Sequence, residues 1–66
     1  MSVAKVIEVS SSSTESFEDA VRQGIKRAAE TVKNIQSAWI KEQKVLVENG
    51  KVVEFRVNMK ITFILH

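Results

Sequence analysis

The chain has 66 residues and a mass of 7.4 kDa, which makes it one domain at most, below the ~100–150 residues of a typical domain, and excludes a two-domain enzyme. It contains no cysteine, so disulfides, thiolate metal sites and thiol nucleophiles are excluded too. Ten Lys plus Arg against eight Asp plus Glu leave a formal charge of +2, interspersed without a block of like sign and too slight to point to nucleic acid. The longest apolar run, Ile61-Thr62-Phe63-Ile64-Leu65, is far short of the ~20 residues of a membrane helix, and the N-terminus lacks a signal-peptide core. The expectation is a soluble, cytoplasmic protein with neither a membrane nor a nucleic-acid partner. Ordering each residue costs about 1.5 kcal/mol, and chains below ~70–80 residues rarely gain more than ~3–5 kcal/mol net from one core. With 44% apolar residues and no covalent staple, burial against other copies of the chain is the expected solution.

The first element is a strand over Ser2–Val9, rich in β-branched residues and followed by a serine-rich loop, Ser10–Thr14, that feeds a helix cap. Ser16 and, three residues on, Asp19 fit a capping box, with Glu18 and Asp19 where the helix dipole favours negative charge. The helix is expected to start near Phe17. Phe17, Ala20, Val21, Gly24, Ile25, Ala28, Val32 and Ile35 recur at three- and four-residue steps, so one face packs and the other is wet. Gly24 in mid-helix costs about 1 kcal/mol against alanine, which points to close approach by another element. Lys33 and Asn34 predict an end near Ile35.

Asn49-Gly50 supplies the positive φ angles of a type I′ turn, joining strands over about 37–48 and 51–65. A two-residue turn sets the register: Glu48 faces Lys51, Val47 faces Val52, Gln43 faces Arg56, Trp39 faces Lys60 and Ser37 faces Thr62. In the last strand Val53, Phe55, Val57, Met59, Ile61, Phe63 and Leu65 alternate with polar residues, and this apolar set is expected to meet the helix. Ala38, Ile40 and Leu46 then share the helix side, and Ser37, Trp39, Lys41 and Gln43 the other. Glu42 and Lys44 would point inward in that register, a conflict resolved either by a bulge or bend near them or by their lying beyond the helix's cover. The resulting architecture is α+β: a β-α-β-β protomer, one helix across a three-stranded antiparallel sheet, with open edges that invite pairing with other chains.

No catalytic constellation stands out. His66, the lone histidine, is C-terminal, the serines of Ser10–Ser13 have no base predicted beside them, and the two glycines make no phosphate loop. Glu8, Glu42, Glu48 and Glu54 can meet at a symmetry axis to bind calcium, or stay as solvated and salt-bridged carboxylates. Trp39 is the most informative side chain, set on the sheet face away from the helix among Lys41, Lys60 and Arg56. It reads either as an anchor buried between subunits or as a plane on which a flat anionic ligand stacks.

Lys5-Val6-Ile7-Glu8-Val9, the serine-rich turn, Ser16-Phe17-Glu18-Asp19-Ala20, the Ala28 to Thr31 segment, Glu42-Gln43, Val47-Glu48-Asn49-Gly50-Lys51-Val52 and Phe55-Arg56-Val57 through Phe63-Ile64-Leu65 together resemble the dodecin family across nearly the whole chain. The resemblance implies a β-α-β-β protomer, twelve copies of which close into a hollow homo-dodecamer. It further implies a non-enzymatic role in binding and sequestering flavin (FMN, FAD or riboflavin), with coenzyme A or calcium as alternative ligands. The family's flavin site departs from its usual pattern here. Ser37 stands where the stacking tryptophan does, Arg56 where a glutamine meets the ring edge, Lys44 in place of one arginine and Ile64 in place of another. Trp39, two residues along the same strand face and thus about 7 Å away, is the available aromatic. Ser37, Trp39, Lys44 and Arg56 are accordingly the candidate ligand-binding residues, contributed by neighbouring subunits.

Overall fold

A computed structural model describes residues 3–65. The elements are β1 (Val3–Ser13), α1 (Phe17–Ala29), β2 (Ile35–Glu48) and β3 (Lys51–Leu65). They form a three-stranded antiparallel sheet in the order β1-β3-β2 with the helix on one face, the expected β-α-β-β protomer. The expected strand start at Ser2 and the terminal His66 lie outside the described residues.

The serines expected to form a loop belong to the strand. Ser10, Ser11, Ser12 and Ser13 pair with Asn58, Val57, Arg56 and Phe55, so the ladder offered by the long β3 overrides the weak strand preference of serine. Ser13 ends the strand as a buried joint. Its hydroxyl donates to Asp19 Oδ2 at 2.6 Å and accepts the Glu15 amide at 2.9 Å. Ser16 caps α1 as expected, accepting the Asp19 amide at 2.9 Å. The Asp19 carboxylate reaches back to Ser13.

The helix is shorter than its apolar periodicity suggests. It ends at Ala29, with Lys26 and Arg27 as the cations of its last turn and Glu30 as its C-cap. Thr31 and Val32 are β-branched and disfavour helix, and Asn34 takes the left-handed conformation anticipated for it (φ 64°). Its carbonyl then accepts the Ile64 amide at 3.1 Å, so Ile35 opens β2 instead of closing the helix.

Asn49 and Gly50 have φ of 52° and 74°, and Glu48↔Lys51 and Val47↔Val52 pair as the turn dictates. Beyond the turn the register shifts between Leu46 and Val47 and shifts back between Ile40 and Glu42. Gln43 therefore faces Val57, not Arg56, which is the partner of Lys44. The shifts place Glu42 opposite Asn58 and Lys44 opposite Arg56, on the polar face. They also carry Leu46, opposite Glu54, to that face and turn Gln43 toward the helix side. The irregularity keeps two charges off the apolar face, where they would lose hydration without a partner. Trp39↔Lys60 and Ser37↔Thr62 keep the expected pairing.

The core is small. Ala20, Val57, Met59 and Ile61 are its buried apolar residues, with Val9, Phe17, Val21 and Ile25 packed around the cluster. Phe17 meets Phe55 edge-on, ring centroids 5.1 Å apart. Gly24 lies over Met59 and Ser11: a Cβ there would collide with Met59 Cε and stand 3.0 Å from Ser11 Cβ, the close approach its mid-helix position predicts. α1 lies over β1 and β3. Much of the apolar surface of β2 and of the hairpin end stays exposed, including Ile40, Val45, Val47, Val52 and Val53. The protomer is accordingly a slab with extents of 52 × 19 × 13 Å.

Candidate functional site

The sheet face away from the helix carries the chemistry. Strand alternation and the register place Glu8, Ser10 and Ser12 of β1, Glu54, Arg56, Asn58 and Lys60 of β3, and Ser37, Trp39, Glu42 and Lys44 of β2 on it. Across the centre, Asn58 Nδ2 donates to Glu8 Oε2 at 2.8 Å and Lys41 Nζ lies 3.6 Å from the same oxygen. The Asn58 hydrogen bond, and then the Lys41 charge, hold the Glu8 carboxyl below its ordinary value of 4.5. Because Glu8 takes the amide nitrogen, the Asn58 orientation is fixed. Its Oδ1 is buried without a hydrogen-bond partner among the described residues.

Arg56 Nε is held by Glu54 Oε2 at 2.7 Å. Arg56 and its cross-strand neighbour Lys44 line a shallow cleft of ≈ 350 Å³ together with Ser10, Ser12, Glu42 and Asn58. Of the four candidate residues, Lys44 and Arg56 are thus brought together. Ser37 and Trp39 share their face but stand beyond the cleft wall. Trp39 is 48% exposed, and Lys60 Nζ sits 5.9 Å from its ring centroid, a weak cation–π pair at this exposure. Sequence reasoning misses Ser10 and Ser12, whose weak strand propensity reads as a loop, and gives Asn58 no role. In the sequence Glu42 reads as an inward-pointing charge and as a carboxylate for calcium or for solvent, and the register shift is what brings it to this wall. Among the described residues, no group of three or more His, Asp or Glu side chains is close enough to hold a metal ion, and no helix is long and apolar enough to cross a membrane.

A single amphipathic helix across a three-stranded sheet, with charged residues on the uncovered sheet face, defines the class: a small α+β protomer with one helix-covered and one polar sheet face. The dodecin family model matches residues 3–66, and the chain belongs to that family. It is similar to the calcium dodecin of Mycobacterium tuberculosis, with 32% identity over 63 residues spanning 96% of this chain and 89% of that protein. Its fold is similar to that of the dodecin from Streptomyces davaonensis, with a TM-score of 0.93 and 28% identity, covering 98% of this chain and 96% of the other. The solved M. tuberculosis calcium dodecin, a calcium-chelating antigen with a novel calcium-binding site, has a TM-score of 0.83 and 31% identity over 97% of this chain and 91% of its own.

Proposed function

We propose that the chain acts as a homo-dodecameric, non-enzymatic protein that binds and sequesters a small molecule on the polar sheet face, with flavin as the ligand and Trp39, Lys44, Arg56 and Ser37 contributing to its site. The observation that supports this most is Trp39, half-exposed on a charged face that no element among the described residues covers. A large aromatic there favours stacking by a flat ligand or a neighbouring subunit. Titrating FMN into the ligand-free oligomer and following flavin fluorescence tests it. Quenching is expected in the micromolar range, weakened roughly tenfold to a hundredfold in Trp39→Ala if the ring stacks. No quenching at tens of micromolar FMN removes flavin.

A second reading is favoured by the relative named for calcium. Glu8, Glu42 and Glu54 lie on this face. Since no acidic cluster forms within the described part of one protomer, a calcium site here draws carboxylates from more than one copy. Millimolar calcium is then expected to raise the melting temperature of the oligomer, and a melting temperature unmoved by calcium speaks against it.

A further inference from the structure

Ser12, Arg56 and Lys44 form one row straight across the sheet, because Arg56 is the Cα partner of both neighbours. All three line the ≈ 350 Å³ cleft. Like charges directly opposite on antiparallel strands repel, so the Lys44–Arg56 pair lowers stability unless an anion lies against it. Glu54 meets only part of that need: it holds Arg56 through Nε and leaves terminal guanidinium N–H groups free to donate. Lys44 forms no ion pair among the described residues. The next row is Ser10, Asn58 and Glu42, about 7 Å along the strands. There one of the two Asn58 amide hydrogens is committed to Glu8. Glu42, the one carboxylate among the cleft's lining residues, accepts hydrogen bonds only.

We propose that this cleft binds a compact oxyanion of the phosphate monoester class, its anionic end on Lys44, Arg56 and the Ser12 hydroxyl and a hydroxyl or amino group of its remainder donating to Glu42. The inference rests on the reading of this face as the ligand surface, and it assigns the cleft, which Trp39 does not line, an anion whose binding there needs no flat ring. A compact, strongly hydrated ammonium, a guanidinium fork and a hydroxyl suit a tetrahedral anion, which takes several charge-assisted hydrogen bonds at once. The cleft lining holds no aromatic ring, and Trp39 lies outside the wall. Glu42 repels a second anionic group, so the site favours a monoester over a bisphosphate.

Isothermal titration of the intact oligomer with glycerol 3-phosphate, and separately with riboflavin, which lacks phosphate, tests this. Glycerol 3-phosphate is expected to bind with an affinity that falls as salt rises. Lys44→Gln and Arg56→Gln each weaken it about tenfold or more, while Lys26→Gln, which removes an exposed charge from the last turn of α1, leaves it unchanged. Ligand-free Lys44→Gln is expected to melt no lower than the parent, because a repulsion has been removed, yet to lose the stabilisation that glycerol 3-phosphate gives the parent. Riboflavin binding without glycerol 3-phosphate binding overturns the oxyanion site and leaves the flavin reading intact. Binding of neither overturns both, and glycerol 3-phosphate binding untouched by both cleft substitutions places the anion elsewhere and overturns the inference.

Discussion

Gly24→Ala pits helix propensity against packing, and the structure decides which wins. In an unobstructed helix alanine is favoured over glycine by about 1 kcal/mol. Here the added methyl would overlap Met59 Cε and approach Ser11 Cβ to 3.0 Å. Met59 is fully buried in the central cluster, so moving its flexible chain end aside means repacking that cluster, and overpacking of this kind costs about 1–3 kcal/mol. The net expectation is destabilisation by about 1 kcal/mol. Met59→Leu removes Cε at a cost below about 1.5 kcal/mol, and in that background Gly24→Ala should turn neutral or stabilising. The four proteins of this cycle, unfolded in urea at one concentration with their oligomeric mass checked, should show coupling of about 1–2 kcal/mol. Additivity within ~0.5 kcal/mol, or a Gly24→Ala protein more stable than its parent, refutes the close-approach account of this glycine.

Two further outcomes follow from the charged face and the hairpin end. Glu8 has its folded pKa depressed by Asn58 and Lys41, so its stabilisation is complete above the ordinary carboxyl value of 4.5 and is lost as pH falls through the folded value. Melting temperatures of the parent and Glu8→Gln should differ by a constant amount near neutrality and converge at acid pH, and a gap that widens on acidification contradicts the network. Val52 is 50% exposed beside the turn, where Val52→Glu in a lone protomer changes stability by no more than ~0.5 kcal/mol. In an assembly that covers the hairpin end, the same substitution should cut the mass seen by ultracentrifugation from oligomer to small species, and an unchanged mass removes the hairpin end from the subunit contacts.

The legible parts of the sequence were those where one local device fixes the geometry. Ser16 and Asn49-Gly50 have few conformational alternatives, and the period of two in β3 leaves one face for the helix. Readings failed where a partner at long sequence separation decided the outcome. Ser10–Ser13 look like a loop because their propensity is weak, and they become strand because β3 is long enough to pair with them. Val32 and Ile35 continue the helical period, but Asn34 and the ladder to β3 draw Ile35 into β2. The cleft was hidden by the same kind of non-local effect. A register counted from the turn sets Gln43 beside Arg56, and two shifts are needed before Lys44 takes that place. The charges of Glu42 and Lys44 carried the one hint, since a regular ladder would have buried both.

β2 is where assembly and binding meet. α1 lies over β1 and β3, so the helix-side residue Ile40 of β2 remains exposed and gains burial when another copy supplies the missing layer. The opposite side of the same strand carries Trp39, Glu42 and Lys44. A strand of 14 residues, open along one edge, cannot hold a fixed cleft wall unless its other surface is held, because the backbone hydrogen bonds to β3 constrain one edge only. Subunit contact on the apolar side of β2 would therefore rigidify the wall that presents Lys44 to Arg56. An anion bound in that wall stabilises the same conformation in return, since coupling between two binding events is reciprocal. Assembly and ligand binding at this sheet should accordingly strengthen one another.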